Sequence, residues 1–508
     1  MKRRCVVMFF KRRNNQKPNS AQKPRTERPS IKVTRSLDKN IDFIVNEFNN
    51  SDDLKVRKIK KIDATLIYFE SLVDQDKMQD RIFKPIELSQ NLDTFDLSPA
   101  RVSHDLYRAC NSLLMGHTLL LKDHVAEIKI IPVTDSNNRN VDEPANERVV
   151  RGSHEGFIEN LMVNLNLLRK RMNDSDLTVH YFDKGTETST KIAVVFMNSL
   201  VNDEHVKEVE RRIQSIDADM LFSPGYIEEF IEDEPMSPFP QLLNTERPDR
   251  VEANILEGRI AILAEGSPTC LLTPVSFFAF YQTTDDYNNR WTSGTFLRLI
   301  RLTSFLIAIG LPAIYIAVVG FHFEVIPSDL LLPVKASIND IPYPPLIEAL
   351  VMVIVIELIR ESGMRLPSPV GQTIGIVGGL VIGDAVVKAG LVSNLVVVVI
   401  ALTALASFVV PSNEMSTTLR VLTFPLIILA GTFGFVGIAF GFLALLIHLA
   451  RLTSLGTPYF APMTPFRLKD LKDTFVRIPL FKMNRRPTDN YAKKSVITRR
   501  SRKWDMNE

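Results

Sequence analysis

Residues 371–411 read GQTIGIVGGLVIGDAVVKAGLVSNLVVVVIALTALASFVVP, and the fold turns on how this stretch is understood. Gly371, Gly375, Gly379 and Gly383 recur at every fourth position. On a helix that spacing makes one ridge without side chains, against which a second helix packs closely in lipid. One turn onward, Asp384 and Lys388 form an i,i+4 acid–base pair inside an apolar run. Charge at membrane depth is costly, so such a pair is a functional candidate. The run GIVGGLVIGDA is no phosphate loop, because no Lys-Ser/Thr follows it.

Outward on both sides the sequence stays apolar, from about residue 296 to 450. A first span is expected over 299–321, with Pro312 tolerated inside it, then a Pro-rich outer loop over 324–345. Residues 346–365 (LIEALVMVIVIELIRESGMR) are unusual, since the uncharged centre, 349–356, is too short to span alone. Glu348 and Glu357 fall on opposite helix faces. Glu357, Glu361 and Arg365 share one stripe with Arg360 beside it, and Glu361–Arg365 has the favourable charge order. This helix either draws its charged ends to the interface or turns a polar face toward a water-filled path or a partner. A second apolar run, 391–410, ends at Pro411, and Glu414 and Arg420 lie in the connection after it. The last run, 421–450, is long for one tilted span. Gly431, Gly434, Gly437 and Gly441 would let it break into a hairpin or pack tightly.

The formal net charge of +3 hides a division. Residues 1–36 carry a net +11, residues 451–508 a net +9, and everything between a net −17. Basic flanks around membrane segments belong on the cytoplasmic side, where anionic lipid attracts them. Two cytoplasmic ends require an even number of crossings; four is the favoured count and six the alternative. No recognition motif accompanies the basic charge, so nucleic acid is not an expected partner. Three cysteines, Cys5, Cys110 and Cys270, fit a reducing compartment rather than a disulfide framework. The start, MKRRCVVMFFKRR, has too short an apolar core for a secretory signal, which leaves the N-terminal half in the cytoplasm.

Residues 37–275 contain an internal repeat. GHTLLLKDHVAEIKIIPV from Gly116 aligns without a gap on GRIAILAEGSPTCLLTPV from Gly258. Upstream, LIYFESLVD (66–74) matches VVFMNSLVN (194–202), and Asp53-Leu54-Lys55-Val56 matches Asp176-Leu177-Thr178-Val179. Asp74 and Asn202 sit where helix N-caps belong, Pro248 at a first helical turn and Gly258 just past a helix end. The expected fold is an α/β cytoplasmic region of two similar subdomains followed by an α-helical polytopic membrane domain. The expected division is a basic disordered tail (1–36), subdomain 1 (37–133), a polar linker (134–150) and subdomain 2 (151–290). A multi-pass domain (291–450) and a basic cytoplasmic tail (451–508) complete it. The second copy carries an insertion, 223–250, crowded with acids and prolines. It reads as a loop bridging subdomains or subunits, or as a docking site for a partner.

No HExxH, Cys–His ligand spacing, EF-hand or nucleophile motif is present, so no catalytic residue, metal site or cofactor is expected, and no enzyme.

Several runs resemble one family. They are VVRGSHEGFIENL (149–161), SPFPQLLNTERPDRV (237–251), DYNNRW (286–291), IELIRESGMRLPSPVGQTIGIVGGLVIGDAVV (356–387) and LLIHLARLTSLGTPYFAP (445–462). They are similar to the GerA family, the A subunits of the germinant receptors of endospore-forming bacteria. The resemblance covers nearly all of residues 37–465. It implies a protein of the spore inner membrane that couples nutrient sensing to ion release and germination, without implying which nutrient. It also implies a complex with a transporter-like B subunit and a lipoprotein C subunit, with A subunits as homo-oligomers forming a gated ion path in contact with membrane lipid. Many relatives place an uncharged residue followed by Ala-Ala-Val-Glu where this chain has Asp384-Ala385-Val386-Val387-Lys388. On this reading Glu357, Arg360, Glu361 and Arg365 are the candidate ion-path or gating residues, and Asp384 and Lys388 an intramembrane pair. A secondary transporter and a non-conducting scaffold for partner subunits are the alternatives.

Overall fold

The computed structural model describes residues 30–88, 100–135, 143–144, 146–221, 223–339, 341–365, 383–468 and 470–497. Two five-stranded sheets form the first half. Strands β1 (Leu54–Ile59), β2 (Ala64–Phe69), β3 (Arg101–Ser103), β4 (His117–Lys122) and β5 (Ile128–Pro132) lie in the order β1-β2-β4-β5-β3. Strands β6 (Leu177–Lys184), β7 (Thr190–Met197), β8 (Leu243–Thr245), β9 (Ile260–Ala264) and β10 (Cys270–Thr273) lie in the order β6-β7-β9-β10-β8. Position for position, the two orders are the same. All pairings are antiparallel. Helices and strands are thus mixed as expected, but these are not the parallel sheets that the α/β class usually denotes. The short turns Ile59–Ala64 and Lys122–Ile128 can join only antiparallel neighbours.

Both faces of each sheet are covered, which is why its central strands read as continuous apolar runs rather than alternating ones. In β4, Leu119 and Leu121 face helices α1 (Leu37–Glu47) and α2 (Leu106–Leu114), while Leu120 faces the turns Gln75–Met78 and Gln79–Phe83. In β9, Ala261 and Leu263 face α3 (Leu161–Met172), and Ile260 and Ile262 face α4 (Asp203–Ser215) and α5 (Pro224–Ile231). The expected caps are present. Asp74 accepts from the Asp76 and Lys77 amides, and Asn202 from that of Glu204. Pro248 opens α6 (Pro248–Leu256). Gly116 and Gly258 have φ of +79° and +94°, and a Cβ there would meet Leu72 O at 2.8 Å and Leu200 O at 3.2 Å. Leu72 and Leu200 are themselves equivalent in the repeat.

Residues 31–36 belong to the first subdomain and not to a disordered tail. Val33 is in its core, the Val33 amide donates to His104 O, and the Leu106 amide donates to Ile31 O. The subdomains are joined by a buried ion pair. Arg169 Nε and Nη2 donate to Asp53 Oδ2 and Oδ1 at 2.6 and 2.7 Å, and the guanidinium lies 4.1 Å from the Phe69 ring. Around it the Asp52 amide donates to Val179 O, and the Val179 amide to Ser51 Oγ. The loop before β1 therefore covers the exposed edge of β6, where unpaired amides would otherwise remain.

The second half is helical. α7 (Trp291–Phe321) begins eight residues earlier than the expected span and continues unbroken through Pro312. The expected loop over 324–345 contains a helix, α8 (Ser328–Asn339), where Leu330, Leu331 and Leu332 outweigh the single Pro333. α9 (Pro345–Arg365) and α10 (Asn394–Val409) follow, then α11 (Asn413–Arg451). α11 is two helices in one: Gly434 has φ 58° and ψ −138°, a conformation that costs glycine little. A Cβ on Gly441 would meet Leu426, so the arms 413–433 and 435–451 run antiparallel. Both arms start and end at one loop of the second subdomain, for Thr418 Oγ1 donates to Pro238 O while Ser237 Oγ lies 2.8 Å from His448 Nε2. The reversal packs against Phe321 and His322 at the far end of α7. The hairpin expected from the glycines is thus present. Of the expected glycine ridge, Gly371, Gly375 and Gly379 lie outside the described residues, and a Cβ on Gly383 would meet no described atom within 4 Å.

Among the described residues, α7 and α11 are long and apolar enough to cross a membrane, and α10 is a shorter apolar helix. Their outer faces expose Leu306, Leu405, Phe408, Phe433, Phe440 and Ile447, a surface suited to lipid and not to water. After Arg451 the chain does not trail away as a tail. Tyr459 donates to Pro240 O, Arg259 Nε donates to Asn490 Oδ1, and Lys493 pairs with Asp203 at 2.6 Å. Arg486 Nε also donates to Leu256 O, so the segment is docked on the second subdomain.

Asp53→Ala leaves the Arg169 guanidinium buried without a counter-charge, so it is expected to destabilise the first half by about 3–5 kcal/mol. The paired change Asp53→Leu with Arg169→Met is expected to cost less than either single change. Denaturant unfolding of the full chain followed by far-UV circular dichroism checks this; equal losses in all three variants would refute the lock.

Candidate functional site

α9 is held at both ends by carboxylates on its opposite faces. Near its end, Glu357 Oε2 accepts from Arg420 Nη1 of α11 at 2.7 Å, and Glu357 Oε1 lies 3.5 Å from Arg360 Nη1. Arg360 Nη2 also donates to Ser407 Oγ of α10 at 3.0 Å, and its guanidinium lies 4.2 Å from the Phe408 ring. Three helices thus meet at one charged cluster, around a cavity of about 30 Å³ whose lining also includes Thr403 and Thr423. At the other end of α9, Glu348 is 1% exposed and accepts from the Ser393 amide, the cap of α10. Tyr315 of α7 stands beside it, 3.2 Å from Ser393 Oγ.

The expected stripe of Glu357, Glu361 and Arg365, with Arg360 beside it, is therefore divided. Glu357 and Arg360 join the cluster. Glu361 and Arg365 form a separate exposed pair at 2.5 Å. Asp384 and Lys388 pair with each other at 2.7 Å and are likewise exposed. Arg420 stood in the sequence as part of a connection, with nothing to mark it as the partner of Glu357. Only its position, two turns into a long apolar helix, could have drawn attention to it.

A second charged centre joins the sheet-bearing half to the helices. Asp286 is fully buried, and Arg301 Nη1 donates to both its oxygens at 2.7 and 2.8 Å. Arg298, also fully buried, lies 3.4 Å from Asp286 and 3.0 Å from Asp473 of the C-terminal segment. Tyr287 donates to Asp473 Oδ2 at 2.9 Å, and Arg477 Nη2 donates to Tyr287 O. Burial pushes the Asp473 carboxyl above its ordinary range, against the opposing pull of Arg298. Arg298 and Arg301 stand at the start of a long apolar helix, where basic residues suit the inner side of a membrane. The structure instead places both inside the protein.

The insertion, 223–250, bridges the second subdomain to α11. Between them lies an open pocket of about 500 Å³ lined by Glu228, Glu232, Ser237, Glu414, Thr417 and Thr418. Burial first, then the negative charges of Glu414 and Glu232, raise the Glu228 carboxyl well above its ordinary value. Burial raises Glu232 as well. No group of three or more His, Cys, Asp or Glu residues suited to a metal ion is present among the described residues.

Residues 35–489 match the family described as Bacillus/Clostridium GerA spore germination protein. Spore germination protein B1 of Bacillus subtilis (strain 168) is 37% identical over 92% of this chain and 100% of the relative. Spore germination protein KA of the same organism is 35% identical over 91% and 88%. The B. subtilis membrane protein YfkQ is 38% identical over 83% and 84%. Among solved structures, the N-terminal domain of the A subunit of the Bacillus megaterium spore germinant receptor GerK3 is 27% identical, covering 49% of this chain and 99% of that one with a TM-score of 0.38.

A carboxyl raised in the folded chain favours folding at low pH, and that contribution is lost as pH climbs past the ordinary value of 4.5, where the unfolded chain ionises freely. Glu228→Gln is therefore expected to match the parent's melting temperature near pH 4 and exceed it increasingly from pH 5 to 8. A difference that does not change with pH would show that Glu228 is not the titrating group.

Proposed function

This chain belongs to the GerA family of spore germination proteins, and from that premise we propose that it is the A subunit of a nutrient germinant receptor. It sits in the spore inner membrane with its first half and C-terminal segment in the cytoplasm. A transporter-like B subunit that holds the nutrient and a lipoprotein C subunit complete the receptor. The two subdomains descend from one duplicated unit, a reading supported by their common strand order. The helical half crosses the bilayer an even number of times, four or six, which keeps both ends on one side.

The observation that carries the reading is the buried Asp286 centre, which makes the soluble half and α7 one mechanical piece. Nutrient binding in the B subunit changes how the soluble halves of neighbouring A subunits pack. The change passes through Arg298 and Arg301 to α7, and through 237–240 to the ends of α11. α9 then shifts against Arg420, and the oligomer opens an ion path. The exposed pairs Glu361–Arg365 and Asp384–Lys388 are surfaces open to neighbouring subunits. A ligand moves such an equilibrium only by its differential affinity for the two states.

Spores that lack their own receptors and carry this chain with its B and C partners test the proposal through nutrient-triggered cation release. Arg420→Gln, at normal protein level, is expected to shift the half-maximal nutrient concentration about tenfold, a coupling change of about 1.4 kcal/mol. An unchanged dose–response curve would remove the cluster from gating. Purified A subunits that never conduct in bilayers would favour the scaffold reading.

A further inference from the structure

The charged cluster at the near end of α9 is not neutral. It holds two guanidinium groups, Arg360 and Arg420, against one carboxylate, Glu357. The other elements that line the cavity, α7 and α10, contribute Ala308, Ile400, Thr403, Ala404 and Ser407, none of them charged. A net positive charge therefore stands among apolar helices. Arg360 is 10% exposed and Arg420 21%, so this excess of positive charge is only partly solvated and attracts an anion.

The donors point the same way. The Arg360 side chain is only 10% exposed, and its Nε has no hydrogen-bond partner. The hydroxyl protons nearby are already used: Ser407 donates to Ala404 O, Thr403 to Val399 O and Thr423 to Leu419 O. Arg360 Nε–H is thus the unpartnered donor of the cluster among the described residues, and a cationic N–H suits an anion and not a metal ion. The volume of about 30 Å³ exceeds the ~10–15 Å³ that one water needs and admits one small ion. We propose that this cavity binds one monatomic halide, chloride in the cell, held by Arg360 and Arg420 between α7, α9, α10 and α11. Chloride there neutralises the excess charge and ties α9 to α10 and α11. The proposal concerns binding alone and stands whether or not the cluster gates an ion path.

The test uses the full chain in detergent micelles. Melting is followed while sodium gluconate is exchanged for sodium chloride at constant ionic strength. The expected result is a saturable rise in melting temperature, reproduced by bromide and not by sulfate. Arg360→Gln is expected to abolish the response. Arg360→Lys keeps the charge without Nε, so it is expected to weaken the response. Glu357→Gln raises the net charge of the cluster and is expected to lower the half-saturating chloride concentration. Melting of the parent chain that does not respond to chloride would overturn the proposal and leave water as the occupant. So would a Glu357→Gln variant that binds chloride more weakly than the parent. Neither result bears on cation release in spores, which tests the receptor function separately.

Discussion

The Asp286 carboxylate, fully buried between Arg298 and Arg301, is the constraint on which the rest of the architecture depends. A carboxylate removed from water is stable only while its counter-charges stay in place, and taking one away costs about 3–5 kcal/mol. Asp286 lies at the end of the sheet-bearing half and both arginines lie on α7, so neither part can turn without the other. Gly294 makes the approach possible, since a Cβ there would come within 2.6 Å of Asp286 O. Asp473 brings the C-terminal segment into the same centre through Arg298. The segment is further held by an aromatic group in which Phe277 and Phe278 meet Phe460 and Phe475.

The same device recurs at two other junctions. Asp53 with Arg169 joins the two subdomains, and Glu357 with Arg420 joins two helices. Apolar burial supplies most of the driving force in each region, but it has no direction. Buried ion pairs add little net stability compared with apolar residues of the same volume. Their contribution here is to choose which surfaces meet. Asp53–Arg169 and Asp286–Arg298 are fully buried and Glu357–Arg420 is partly exposed, and each pair joins two different elements.

Much of the local structure was legible. The alignment of 116–133 on 258–275 anticipated a hairpin after a glycine-closed helix end in each sheet, because a glycine at a helix end acts locally. Asp74, Asn202 and Pro248 marked helix starts correctly, since a cap acts within one turn of the chain. The glycines from Gly431 to Gly441 anticipated the reversal at Gly434, the residue type that adopts a positive φ without strain. Where the reading went astray, a distant partner had intervened. Val33 pairs with the 104–106 backbone, and the basic C-terminal segment finds Asp203 and the second subdomain. Composition alone describes such stretches as tails, because it contains no record of what they touch.

The charged helix shows the division most clearly. Periodicity was enough to place Glu348 and Glu357 on opposite faces of α9, to pair Glu361 with Arg365 and to pair Asp384 with Lys388, because side chains four apart on a helix meet regardless of context. It had no means of joining Glu357 to Arg420, which is 63 residues away on another helix. Nor could it show that Arg298 and Arg301 turn inward to Asp286. Local periodicity and capping follow from the geometry of one backbone segment. The partner of a buried charge follows from which helices pack side by side, and that is settled only when the whole chain has folded.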